Sequence, residues 1–307
     1  MMSYNCELKY MKKNLLVSMI FIIMTSCVLV ACHSFQESSL KSSTNSSSPK
    51  KSASHTLTIC LGYEPSSLYL YGVSSQAAWD ILEAVYDGPI DTRNYQPEPV
   101  ILEKVPSFAD NDAVFRPLDM QAGDEVLDAD GNLVTLVEGI ELYPHGCTSS
   151  DCILTWDGVS PLQMDQLVVT YKLLPDLSWS DGVPLTASDS VYSFQLASDP
   201  ATPTVKRLTD QVASYAALGT LTIQMVSKPG LVTDAFDKYV WIPLPEHVWG
   251  DYTAEELLTA EASSKKPLGW GAYVIDEWLP GEVIRLKKNP NYFRADEGLP
   301  KFDSLEF

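Results

Sequence analysis

K-P-L-G-W-G-A-Y-V-I-D-E-W-L-P-G-E-V-I-R-L-K-K-N-P-N-Y-F-R-A-D-E-G-L-P-K-F-D-S-L-E-F, residues 266–307, reads as strand, tight turn, strand, Asn-Pro loop and the beginning of a further strand. Val274, Ile275 and Trp278 lead into Pro280-Gly281, a turn pair, and Val283, Ile284 and Leu286 leave it with strand composition. Leu305 and Phe307 alternate with Glu306, which predicts a strand in the last residues.

Upstream, Trp179-Ser180-Asp181-Gly182-Val183-Pro184-Leu185-Thr186 reads as a strand, an Asp-Gly turn and a helix cap. Thr186 with Asp189 predicts a capping box, and Val191, Phe194 and Ala197 mark the apolar face of the helix that follows. Thr253 with Glu256 predicts a second box. Residues 167–174 and 221–225 read as strands, and Asp130-Gly131 turns a hairpin between Val126-Leu127 and residues 133–137. At the start of the globular part, residues 56–61 alternate as a strand, and a Glu64-Pro65-Ser66 loop follows. Ser75 then caps a helix with Ala78, Ile81, Leu82 and Val85 on one face.

The order of these motifs resembles the peptide/nickel-type solute-binding proteins of ABC importers. The features that carry it are the Glu-Pro-x-Ser-Leu loop, Tyr86-Asp87-Gly88, the Trp-Ser-Asp-Gly stretch with its helix, Leu244-Pro245-Glu246-His247-Val248-Trp249, Gly271-Ala272-Tyr273 and Asn289-Pro290-Asn291-Tyr292-Phe293. The family loop commonly continues Asp-Pro, where this chain has Tyr69-Leu70. The resemblance implies a mixed α/β, periplasmic-binding-protein-like fold. It implies a first lobe (55–95 and 215–307), a β-rich side domain (96–214) and a second lobe missing from these 307 residues, so that the chain is expected to be truncated. It also implies ligand-facing groups at Glu64, Pro65 and Ser66, and at Trp270, Gly271, Ala272 and Tyr273. Glu64 is suited to a cationic amine, and strand backbone to an extended peptide. The implied partners are a peptide or other small solute and the transmembrane subunits of an ABC importer, with the protein monomeric. Packing is the competing reading for Trp270 and Tyr273, and the favoured one for Trp241.

The N-terminus reads as an address. Lys12 and Lys13 precede an apolar run over 15–30, too short for a comfortable span and fitting a secretory leader. It ends in Leu29-Val30-Ala31-Cys32, similar to a bacterial lipobox, so Cys32 is the expected lipidation site after removal of 1–31. Met11 is an alternative start. Residues 32–54 are Ser-rich and predict a flexible tether. This places the protein outside the cytoplasm, lipid-anchored at a bacterial membrane. Cys147 and Cys152 close a short loop in an exported chain, which predicts a disulfide. Cys60 predicts a buried free thiol.

A net charge of −19 argues against nucleic acid as a partner. Four His without ligand spacing to the cysteines give no zinc site, and no cofactor is expected. Asp128-Ala129-Asp130-Gly131-Asn132 invites calcium, but an EF-hand's closing acid would fall on Gly139, with Glu138 one before it, and a hairpin turn explains the run better. No nucleophile elbow, phosphate loop or His-Glu-x-x-His run is present, so an enzyme is not expected. The other readings are a membrane-tethered structural or adhesion lipoprotein, and an exported enzyme supported by no motif. The 15 Tyr and 7 Trp supply walls for a ligand pocket.

Overall fold

A computed structural model of the protein describes residues 54–72 and 75–307. The expected leader, Cys32 and the expected tether up to residue 53 lie outside the described residues.

The 266–307 stretch folds as its sequence predicts. β12 (Tyr273–Leu279) and β13 (Val283–Lys288) form an antiparallel hairpin around Pro280-Gly281, where Gly281 takes φ +75°. β14 (Ser304–Glu306) pairs antiparallel with β13 and parallel with β1 (Thr56–Thr58), giving the sheet order β1-β14-β13-β12. The first strand is shorter than residues 56–61 and lies exposed at the sheet edge.

A second, wholly antiparallel sheet has the order β10-β11-β9-β4. Its strands are β4 (Ala113–Met120), β9 (Leu162–Lys172), β10 (Val212–Ala217) and β11 (Thr222–Ser227). It spans both sides of the division expected at residues 214/215, because β11 pairs with β9. Three two-stranded hairpins complete the β structure: β2 (Ile90–Arg93) with β3 (Gln96–Pro99), β5 (Glu125–Leu127) with β6 (Leu133–Thr135), and β7 (Glu141–Leu142) with β8 (Leu154–Thr155).

Helix α1 (Gln76–Val85) begins at Ser75, whose side chain accepts from the Ala78 N–H, and buries Ala77, Ala78, Ile81, Leu82 and Val85. Helix α2 (Ala187–Ser198) begins at the Thr186/Asp189 pair, where the Asp189 carboxylate accepts from the Thr186 N–H at 2.8 Å. Its packed face includes the expected Val191, Phe194 and Ala197 and is wider than expected. Ser190, Ser193, Leu196 and Ala197 are buried, whereas Val191 and Phe194 are half-buried. The reason is local satisfaction of the serines. Ser190 donates to the Trp241 carbonyl at 2.7 Å, and Ser193 Oγ bonds the Tyr71 hydroxyl at 2.7 Å, so these polar residues cross the core with partners. Trp241 packs edge-on against Phe194 and Tyr215, as the packing reading requires. Short helices α3 (Arg207–Asp210), α4 (Glu246–Trp249), α5 (Ala254–Leu257) and α6 (Glu261–Ser264) lie in the connections. The Thr253/Glu256 box opens α5.

One core joins both sheets and the helices, with Trp179, Trp249, Trp270, Tyr69 and Tyr171 fully buried. A smaller core of Val126, Leu136, Leu142, Trp156, Leu162 and Met164 holds the hairpins of residues 125–155. Cys147 and Cys152 form a disulfide beside it, with Cα atoms 5.7 Å apart. Cys60 corrects the expectation of a buried free thiol, because it is exposed and disulfide-bonded.

Candidate functional site

The Glu64 loop and the tip of the β12–β13 hairpin are distant in sequence and meet in space. Trp278 Nε1 donates to Glu64 Oε1 at 2.6 Å, and the Gly281 N–H donates to Glu64 Oε2 at 2.9 Å. Both carboxylate oxygens of Glu64 therefore clasp the hairpin tip. Beside them, Lys265 Nζ lies 3.7 Å above the Trp278 ring centroid and donates to the Ser66 carbonyl at 3.2 Å. The ammonium is drawn to the negative face of the indole while its stem covers apolar surface. Pro65 is buried beneath the loop, and Ser66 is exposed.

This clasp borders a cleft of about 590 Å³ between α6 and β12. Glu261, Lys265, Lys266, Glu277 and Trp278 are among its lining residues. Its strand-borne acids are neutralised by their neighbours on β13. Asp276 pairs with Lys287 at 2.7 Å, and Glu277 pairs with Arg285, which also reaches Glu306 at 3.0 Å. Those two carboxylates raise the Arg285 pKa further above its ordinary value. Lys265, over the Trp278 indole, and Lys266 line the same cleft as Glu261 and have no carboxylate partner among the described residues. Such a wall offers an aromatic side chain and charge of both signs, which suits a small polar solute.

The second expected group lies elsewhere. Trp270 is 2% exposed, with its ring 6.3 Å from that of Tyr86. Gly271 donates its N–H to the Val85 carbonyl at 2.7 Å, and its own carbonyl accepts from Asn289 Nδ2 at 2.8 Å. Ala272 accepts from the Asn289 N–H at 2.9 Å. Tyr273 is buried and donates to the Phe302 carbonyl at 3.0 Å, and burial raises its pKa. These four residues splice β12 to the end of α1 and to the Asn-Pro loop. They are drawn into the core by the aromatic bulk of Trp270 and Tyr273 and by the close approach that the glycines permit.

Lys265, Lys266 and the cleft-side role of Trp278 escaped the sequence reading. The available signal was a Lys-Lys pair two residues ahead of the Gly-x-Gly stretch, in a chain where acids outnumber bases 40 to 21. The Asp128 run is a hairpin turn, as expected from Asp-Gly. Asp128 Oδ1 accepts from the N–H groups of Asp130 and Asn132 at 3.0 and 2.8 Å. Among the described residues, no group of three His, Cys, Asp or Glu is arranged to hold a metal ion.

Comparison with known proteins agrees with this architecture. Residues 161–307 match the profile of the bacterial extracellular solute-binding proteins, family 5 Middle. A Brucella ovis protein, provisionally named as an ABC transporter peptide-binding protein, is 29% identical over 180 residues, 56% of this chain and 32% of that protein. The oligopeptide-binding protein AppA of Bacillus subtilis is 29% identical over 149 residues, 46% of this chain and 26% of AppA. The chain thus spans about a third or less of the curated relatives it matches. Among solved structures, the oligopeptide-binding protein of Thermus thermophilus, complexed with a pentapeptide, superposes with TM-score 0.56 at 16% identity, over 82% of this chain and 41% of that one. The substrate-binding protein CtaP of Listeria monocytogenes gives TM-score 0.54 at 20% identity, over 83% and 40%. The fold is that of these binding proteins, and residues 161–307 are similar to the bacterial extracellular solute-binding proteins, family 5.

Proposed function

We propose that this chain is the extracytoplasmic solute-binding component of an ABC importer that takes up peptides or a similar small solute. The observation that carries the reading is the Glu64–Trp278 clasp beside a cleft of about 590 Å³, on a chain whose family relatives include proteins named for peptide binding. Cleft volumes of roughly 300–1,000 Å³ suit small-molecule ligands. The first sheet with α1 forms the lobe that presents the cleft, and Glu64, Ser66, Lys265, Lys266 and Trp278 contact the solute. Lys265 and Lys266 attract its carboxylate, and Glu261 its amine. The protein is a monomer, held at the membrane through lipid on Cys32 and delivering solute to the importer's transmembrane subunits.

Isothermal titration of the protein, as its source produces it, with tri- to pentapeptide pools tests the solute class. Disaccharides and nickel–histidine serve as comparators. Saturable heat with peptides, weakened in Lys266→Gln, supports the reading. Heat with a comparator and none with peptides overturns the peptide assignment. The anchor is tested by fractionation: Cys32→Ala must release the protein from the membrane, and retention would refute lipidation there.

A further inference from the structure

A second concavity, of about 290 Å³, lies on another part of the molecule. It sits between the tip of the β5–β6 hairpin, α3 and the segment from Gly230 to Tyr239. The hairpin is stapled in place at this point. The Leu127 N–H donates to the Pro229 carbonyl at 2.8 Å, Gln211 Nε2 to the Gly131 carbonyl at 2.7 Å, and Arg207 Nη2 to the Asp130 carbonyl at 2.5 Å. The walls are therefore tied together by three hydrogen bonds to backbone carbonyls, one from a backbone N–H and two from side chains.

The polar groups of this concavity are unevenly spent. The Asp128 carboxylate is consumed inside its own turn, with Oδ1 taking two backbone N–H groups and Oδ2 taking Asn132 Nδ2 at 3.1 Å. Tyr239 donates its hydroxyl to Gln211 Oε1 at 2.6 Å. Arg207 gives one N–H to a carbonyl, which leaves its charge unneutralised. Lys238 forms no ion pair among the described residues. This contrasts with Lys104, Lys228, Arg285, Lys287, Lys288 and Arg294, which each pair with a carboxylate. Two cations without a carboxylate partner thus line this one concavity, as Lys265 and Lys266 line the first cleft. The Thr233 hydroxyl oxygen accepts from the Ala235 N–H at 3.1 Å, so its hydrogen is available to a ligand.

We propose that this concavity is a second binding site, for a small monocarboxylate. Arg207 and Lys238 hold the carboxylate, Thr233 donates to it, and Tyr143 and Leu231 border its short apolar tail. A planar guanidinium fork and an ammonium on the same concavity offer a carboxylate matching charge, and the fork matches its shape. The exposed Asp130 at the hairpin tip sets the limit on charge, because it disfavours a dianion such as sulfate.

Propionate is the probe, and propionamide, of the same shape without the charge, is its control. Both are titrated into ¹⁵N-labelled protein at constant ionic strength and followed by amide chemical shifts. Saturable shifts confined to residues 128–131, 143, 207–211 and 230–239, given by propionate and not by propionamide, are the expected result. Lys238→Gln should weaken the apparent affinity ~3–5-fold, the worth of a partly exposed charge pair. Lys238 is exposed in a short turn, so the substitution leaves the walls standing, whereas Arg207→Gln would also free the hairpin. Absence of saturable shifts in those segments, equal shifts with propionamide, or an unchanged affinity in Lys238→Gln each overturns the proposal. The outcome is independent of the peptide titration, because the two concavities share no lining residue.

Discussion

Gly269→Ala is the substitution whose effect follows most directly from the geometry. A Cβ at Gly269 would lie 2.1 Å from the Val85 carbonyl oxygen and 2.4 Å from Val85 Cγ1, where ordinary contact begins at 3.4 Å. Relief needs about 1.3 Å of movement (3.4 less 2.1) between the lead-in to β12 and the last turn of α1. The neighbouring backbone cannot give that distance freely. The Gly271 N–H donates to the Val85 carbonyl at 2.7 Å, and the Ser180 N–H donates to the Gly269 carbonyl at 2.9 Å. Losing two such bonds costs about 1 kcal/mol each. Overpacking adds about 2 kcal/mol. The stiffer unfolded chain returns about 0.7 kcal/mol. The net is ~3 kcal/mol of destabilisation, or a Tm lower by ~6–12 °C for a domain of this size. Thermal unfolding followed by far-UV circular dichroism measures it, with Gly62→Ala as control, since a Cβ there meets nothing within 4 Å. A Gly269→Ala protein melting within ~2 °C of the parent would refute the claim that close backbone approach, and not ligand contact, explains the Gly-x-Gly spacing.

Lys206 donates to the carbonyls of Ala197, Asp199 and Thr202 at 2.7, 2.6 and 2.9 Å, closing the end of α2. Lys206→Met should therefore cost about 1–3 kcal/mol in urea unfolding, and an unchanged midpoint would show the cage to be ornamental. Asp157 accepts from the N–H groups of Val159 and Ser160 and from the Ser160 hydroxyl, which lowers its pKa from 3.8 to about 2. Its folded pKa lies below the unfolded one, so its contribution is present above about pH 4 and is lost as pH falls towards 2. A carboxyl carbon NMR titration should find its midpoint near about 2, and a midpoint at the unperturbed value would sink the assignment. Reducing the Cys147–Cys152 bond opens only a short loop, so Cys147→Ser with Cys152→Ser should lose ~2 kcal/mol by the chain-entropy relation. A loss well above that would mean the bond also holds the small core around Trp156 in register.

What could be read from the sequence was local chemistry. The two capping boxes, the Ser75 cap and the Asp-Gly and Pro-Gly turns each depend on residues within a few positions of one another. The α2 face was read too narrowly because serine scores as polar, while Ser190 and Ser193 find partners on Trp241 and Tyr71, far away in the chain. The site was harder still, because Glu64 and Trp278 are 214 residues apart and nothing at either position names the other.

A single extra residue decides which way Trp278 faces. Along β12, Ile275 is opposite Leu286 and Glu277 is opposite Arg285, with Asp276 bulged between them. Strict alternation from Ile275 would put Trp278 on the other face of the sheet. The bulge shifts the count by one, so Trp278 pairs with Ile284 and shares the face of Ile275 and Leu286. From that face its indole N–H reaches Glu64 and its ring meets Lys265. The clasp thus depends on an irregularity that hydrophobic periodicity cannot reveal, since the pattern Val-Ile-Asp-Glu-Trp-Leu reads equally well with or without it. The same bulge leaves Asp276 free to pair sideways with Lys287 instead of opposing a strand partner, which offsets a negative charge in the cleft that Lys265 and Lys266 also line.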